Sequence, residues 1–312
     1  MVDLSVKIGQ MTLKNPIMPA SGTFSEGLSR VFSFNRLGAV VTKTITAEVR
    51  GGNPTPRVAE VGIGMLNSIG IPSKGLAYFV DTILPEYRNF SAPLVVSVSA
   101  PTAELFADIV RQLDLPGIAA IEANISCPNM EEGGKAFAMR PKATSTVVQQ
   151  LRKATKLPLW VKLTPNTSDI AAVAAAAEEN GADALIVANT ILAMSIDTET
   201  FRPRLGSLMG GYSGPAIKPI VMRMVYQCAQ AVKIPIVGCG GISTVEDAVE
   251  YLLAGASAVQ VGTATFIKPN TMLDIIEELT AFCERKNISR ISELIGAVQD
   301  RGMNVDQLEA IP

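Results

Sequence analysis

The chain reads as an α/β protein, a (β/α)8 (TIM) barrel with excursions over the C-terminal mouth of the barrel. Three observations predict it: short apolar, β-branched runs recur eight times, amphipathic stretches of helical period separate them, and the last two runs are each followed by glycine. The runs also lack the in/out alternation of a half-exposed antiparallel sheet, as expected of parallel strands covered on both faces.

In chain order the expected strands cover residues 16–20, 39–42, 94–98, 118–123, 159–162, 184–187, 234–237 and 258–261. After the third, Thr102 precedes Leu105, Phe106, Ile109, Val110 and Leu113, a helical spacing with an N-cap. Further helices are expected at about 143–155, 169–180, 215–232, 244–254 and 270–285. Ser243-Thr244-Val245-Glu246 has the form of a capping box, in which hydroxyl and carboxylate each satisfy a first-turn amide. Two segments exceed the bare alternation, 45–90 and 190–214, and are expected to pass over the mouth as lids or binding walls. No shift in composition divides residues 1–312, which are expected to form a single domain.

Composition narrows the function. The 48% hydrophobic content is ample for a large core, and a formal charge of −2 leaves no basic footprint for nucleic acid. Met1 to Lys7 lack the basic start and apolar middle of a secretory signal, and no apolar run reaches the ~18 residues of a membrane span, so a cytoplasmic protein without membrane contact is expected. Four widely spaced cysteines without a CxxC pair argue against a metal or iron-sulfur site in this chain.

The strand ends carry the chemistry: Ala20-Ser21-Gly22, Lys43-Thr44, Ser97-Val98-Ser99, Asn124 through Asn129, Lys162, Asn189-Thr190, Gly240-Gly241 and Gly262-Thr263. Such a rim suits a planar, anionic, hydrogen-bonding ligand. The glycines after the last two strands free backbone amides for a phosphate, against the alternative that they only make tight turns. The chain has no histidine, so a general acid or base near neutral pH must be a shifted Cys, Lys, Asp, Glu or Tyr. Cys127, set between Asn124 and Asn129, is the leading candidate, although a cysteine is more often a small buried hydrophobe. Cys228, Cys239 and Cys283 read as packing residues. Lys43 and Lys162 could equally be surface ion pairs or Schiff-base nucleophiles of an aldolase-type lyase.

Six motif groups spread over nearly the whole chain: Asn15-Pro16 with Pro19-Ala20-Ser21-Gly22-Thr23-Phe24, Gly52-Asn53-Pro54-Thr55-Pro56-Arg57, Met65-Leu66-Asn67-Ser68-Ile69-Gly70, Asn124-Ile125-Ser126-Cys127-Pro128-Asn129, Gly211-Tyr212-Ser213-Gly214-Pro215-Ala216 and Gly255-Ala256-Ser257-Ala258-Val259-Gln260-Val261-Gly262-Thr263. Together they resemble the class 1 dihydroorotate dehydrogenases. The loop from Asn129 to Phe137 is similar to the 1B branch, in which the catalytic subunit joins an FAD and iron-sulfur subunit to pass electrons to NAD.

The resemblance implies FMN, with Ala20, Ser21, Gly22, Lys43 and Thr44 near the ring, Asn124 beside it, Lys162 at its N1/O2 edge, and Gly214, Gly240, Gly241, Gly262 and Thr263 around ribityl and phosphate. It implies dihydroorotate above the flavin, held by Lys43, Asn67, Asn124, Asn129, Asn189, Thr190 and the backbone at Ile69, Gly70 and Ile71. Cys127 would remove a proton from C5 while hydride leaves C6 for flavin N5, giving orotate. A homodimer in pyrimidine synthesis is implied too.

Three positions depart from the family pattern: Ile71-Pro72-Ser73 replaces Leu-Gln-Asn, Ser97 stands where Asn is usual, and Ala138 follows Phe137 where glycine is common. These keep open a compensated pocket, a paralogue acting on another dihydropyrimidine or a non-catalytic binding subunit; a fumarate-reducing 1A-type enzyme and, through Lys43 or Lys162, the Schiff-base lyase stand as further alternatives.

Overall fold

The structure, a computed structural model, describes residues 2–126 and 137–299. Its centre is a sheet of eight parallel strands: β1 (Ile17–Pro19), β2 (Val40–Val41), β3 (Leu94–Val98), β4 (Ala120–Asn124), β5 (Leu159–Lys162), β6 (Ala184–Val187), β7 (Ile236–Cys239) and β8 (Ala258–Val261). From β2 to β8 each strand pairs with the next in sequence, and β8 returns to pair with β1, as in a (β/α)8 barrel.

The remaining seam lies between β1 and β2. Gly38 N–H donates to the Ile17 carbonyl at 2.9 Å, and the Asn15 carboxamide accepts from Ile17 N–H while donating to the Arg36 carbonyl. A Cβ on residue 38 would overlap the Asn15 carbonyl oxygen, so only glycine allows the two edges to approach.

Two strands end one and two residues further along than the apolar runs indicate. The ladder carries β4 to Asn124, which pairs with Lys162, and β7 to Cys239, which pairs with Gln260. Hydrogen bonding, not apolarity, decides where a strand ends. The shift brings polar residues into the barrel.

Six longer helices pack outside: α1 (Ala103–Gln112), α2 (Pro141–Ala154), α3 (Ile170–Glu179), α4 (Lys218–Ala231), α5 (Val245–Leu253) and α6 (Thr271–Lys286). Thr102 caps α1 by accepting from Leu105 N–H, as its spacing predicts. The capping box of α5 is offset by one residue from the expected Ser243/Glu246 pair. Thr244 is the cap and Asp247 the third helical residue, whose carboxylate also accepts from the Ser243 amide and hydroxyl. Among the described residues no helix is long and apolar enough to cross a membrane.

The two expected excursions meet. Strands Val58–Val61 and Gly64–Asn67 from the first, and Ile191–Ala193 and Gly210–Ser213 from the second, form one four-stranded antiparallel sheet with Asn67 opposite Gly211. The N-terminal hairpin, Val6–Ile8 with Met11–Leu13, covers the opposite end, where Gly9 lies against Asp183 just ahead of β6.

Candidate active site

The floor of the barrel mouth is set by register. Parallel pairing aligns Ser97 with Glu122 and Asn124 with Lys162, and residues two apart on a strand share a face. Their side chains join in one buried chain. Asn189 Nδ2 donates to Ser126 Oγ (2.7 Å), which donates to Asn124 Oδ1 (2.6 Å). Asn124 Nδ2 donates to Thr44 Oγ1 (3.2 Å), and Thr44 Oγ1 meets Ser97 Oγ at 2.9 Å. Ser97 Oγ donates to Glu122 Oε1 (2.8 Å), Gln260 Nε2 donates to Glu122 Oε2 (2.7 Å), and Lys162 Nζ donates to Gln260 Oε1 (3.2 Å).

Lys162 is 4% exposed, with Cys239 Sγ as its second partner at 3.8 Å. Burial opposes its charge, but Cys239 and Glu122 outweigh burial and raise the ammonium above the ordinary lysine range. Burial also pushes the Cys239 thiol up. A Schiff-base nucleophile needs a neutral amine, and this environment works against one at Lys162. Cys239 therefore does more than pack among glycines.

Lys43, at the end of β2, is half-buried and finds no acceptor among the described residues; burial lowers its ammonium below the usual range. A desolvated cation without a partner suits an anionic ligand.

The glycine loops converge on one side. A Cβ on Gly241 would touch the Gly214 carbonyl at 2.9 Å, and Thr263 Oγ1 donates to Ser213 Oγ at 2.8 Å. Gly262 faces Ala20, with 3.5 Å between its notional Cβ and the alanine methyl, while a Cβ on Gly22 would meet nothing within 4 Å. Gly241 thus lies against Gly214, Thr263 against Ser213 and Gly262 against Ala20, with Ser21 buried.

The mouth sheet supplies the opposite wall. Asn67 Nδ2 donates to the Gly211 carbonyl, and Thr190 N–H donates to Asn189 Oδ1. Gly70 and Ile71 both have positive φ, at 76° and 49°; a Cβ on Gly70 would overlap Asn53, whose N–H donates to the Ile69 carbonyl. For β-branched Ile71 that conformation is strained, and it holds the turn after Ile69 in a fixed shape. Asn166 braces the wall: it donates to Thr164 Oγ1 and the Thr190 carbonyl and accepts from Leu192 N–H.

Cys127 and Asn129 lie outside the described residues, as does the 129–136 part of the loop. Their neighbours are placed: Ser126 is buried and bonded to Asn124 and Asn189. Ala138 is fully buried with its N–H on the Ile125 carbonyl, so the methyl that replaces the family's glycine is packed. Ser97 is absorbed likewise, its hydroxyl joining Thr44 to Glu122. Sequence reasoning gave Glu122, Gln260, Ser126 and Asn166 no role. The signal for Glu122 was present, a lone carboxylate in an apolar strand, which cannot be buried without partners.

Comparison with known sequences agrees with this arrangement. The profile of the dihydroorotate dehydrogenase family matches residues 3–283. A protein of Bacteroides fragilis is 47% identical over 304 residues, covering 96% of this chain and 100% of its own. One of Geobacter sulfurreducens is 46% identical over 300 residues (95% and 98%), and one of Thermoanaerobacter pseudethanolicus 43% over 300 residues (96% and 99%). Each bears the name dihydroorotate dehydrogenase B (NAD(+)), catalytic subunit.

Proposed function

This chain belongs to the dihydroorotate dehydrogenase family, and from that premise we propose that it is a class 1B catalytic subunit. It oxidises (S)-dihydroorotate to orotate in pyrimidine synthesis, using FMN and passing electrons to NAD through a separate FAD and iron-sulfur subunit. A cytoplasmic homodimer belongs to the same reading. The B-type NAD(+) naming of the relatives supports this acceptor over fumarate.

The observation that carries the reading is Lys162, a buried ammonium whose hydrogen-bond partners among the described residues are Gln260 and Cys239, on the same barrel mouth as the glycine loops. The donor set fits FMN. Gly214, Gly240, Gly241, Gly262 and Thr263 suit ribityl and phosphate; Ala20, Ser21, Gly22, Thr44 and Asn124 suit the ring; Lys162 suits the N1/O2 edge. When bound, the flavin supplies the hydride acceptor at N5.

The protein's own groups do the rest. Lys162 offers fixed positive charge where electron density accumulates, with no reorganisation at the moment of reaction. Lys43 takes the substrate carboxylate. Asn67, Asn124, Asn129, Asn189 and Thr190, with the backbone of Ile69, Gly70 and Ile71, match the alternating N–H and C=O edge of the dihydropyrimidine. Cys127 follows directly on Ser126, and its thiolate removes the C5 proton.

The test is an anaerobic titration of purified protein with dihydroorotate, watching the flavin bleach. A colourless protein, or a flavin that dihydroorotate leaves oxidised, would overturn the reading. Adding NAD with and without the partner subunit, and fumarate separately, decides the acceptor, and light scattering decides the dimer.

A further inference from the structure

We propose that Glu122 is a positioning residue for the flavin site: its carboxylate orients Gln260, and through it the Lys162 ammonium, while Ser97 and Thr44 carry the same orientation to Asn124. This rests on the FMN reading and deepens it.

Glu122 is 0% exposed on the barrel's inner face, and its hydrogen-bond partners among the described residues are the Ser97 hydroxyl and the Gln260 amide. Burying a carboxylate without an ion-pair partner among the described residues costs stability, and an apolar side chain of similar size would fill the space at less cost. Packing does not explain it. Hydrogen-bond direction does.

A carboxylate only accepts and an ammonium only donates. Gln260 lies between one of each, so its Nε2 must face Glu122 and its Oε1 must face Lys162. The reversed amide would set oxygen against carboxylate and N–H against ammonium. The second arm is ordered in the same way. Ser97 gives its proton to Glu122, so Thr44 must donate to Ser97; Thr44 therefore accepts from Asn124 Nδ2, which turns Asn124 Oδ1 toward the Ser126 hydroxyl. Each bond in both arms points toward Glu122. The Lys162 ammonium and the Asn124 amide are thus oriented from one acceptor to which neither donates directly.

The test uses purified holoprotein and three single variants, E122Q, Q260M and S97A. Sulfite, which adds to flavin N5 and leaves negative charge at the N1/O2 edge, reads the cation there independently of turnover. FMN affinity is read from quenching of Trp160, the only tryptophan in the chain. E122Q and Q260M are each expected to raise the sulfite Kd at least ~10-fold, the size of effect that displacing one charge in a low-dielectric site produces. The E122Q/Q260M double variant should be no worse than the weaker single, because both remove one linkage. S97A should leave the sulfite Kd within about 2-fold while weakening orotate, since it cuts only the second arm.

Wild-type sulfite affinity in E122Q overturns the proposal. If E122Q does not fold, Q260M with wild-type sulfite affinity overturns it equally. A wild-type protein that takes up no FMN, or is not reduced by dihydroorotate, instead defeats the parent reading.

Discussion

Asn189 Nδ2 lies 2.7 Å from Ser126 Oγ, tying the residue two positions beyond β6 to the residue that precedes Cys127. Ser126 is 2% exposed and its hydroxyl proton is committed to Asn124. Removing that hydroxyl leaves two amide groups short of a partner, at about 1–3 kcal/mol. Ser126→Ala is expected to lower the melting temperature by a few degrees and weaken orotate about tenfold, checked by thermal denaturation and by orotate titration of the flavin spectrum.

Cys127→Ala should remain yellow and bind orotate, yet its flavin should be reduced at least ~10²-fold more slowly, the low end of a general-base contribution. A free thiol near pKa ~8.5 is only a few per cent thiolate at neutral pH, so the wild-type reductive rate should climb with pH until the sulfur is ionised. Stopped-flow reduction across the pH range checks both. Near-normal reduction in the alanine variant would remove Cys127 from the role.

Lys43 sets stability against the binding role proposed for it. Burial lowers its ammonium, so between that lowered value and the unfolded value of ~10.4 the native state holds fewer protons than the unfolded one, and stability rises with pH there. An anionic ligand restores the proton, so orotate affinity should fall as pH rises through the lowered value. Lys43→Met should abolish that alkaline slope and weaken orotate at least about tenfold, while stabilising the protein by about 1 kcal/mol as a half-buried cation with no acceptor among the described residues is lost. Isothermal titration against pH, paired with urea denaturation, reads both effects.

At the β1/β2 seam, Gly38→Ala would force the Asn15 carbonyl away and break the bond from residue 38 to Ile17. A loss of about 2–3 kcal/mol is expected from overpacking at a site whose neighbour is backbone. Urea denaturation measures it, and Gly22→Ala, whose added methyl meets nothing within 4 Å, is the control for stability.

The barrel was legible from the sequence because parallel strands buried on both faces leave continuous apolar runs, and eight such runs divided by helical spacings admit few other arrangements. The rim was legible too, since a residue that ends a strand lies at the mouth wherever the strands point one way. Hydrogen-bond partnership across strands was not. That Glu122 meets Gln260, 138 positions away, and that residues 58–67 and 191–213 join in one sheet, depend on register and on how far the chain travels between elements. Local preference carries no record of either. The amino-acid order thus determined the scaffold and the chemical groups on its rim, while tertiary closure alone decided which of them share protons and charge.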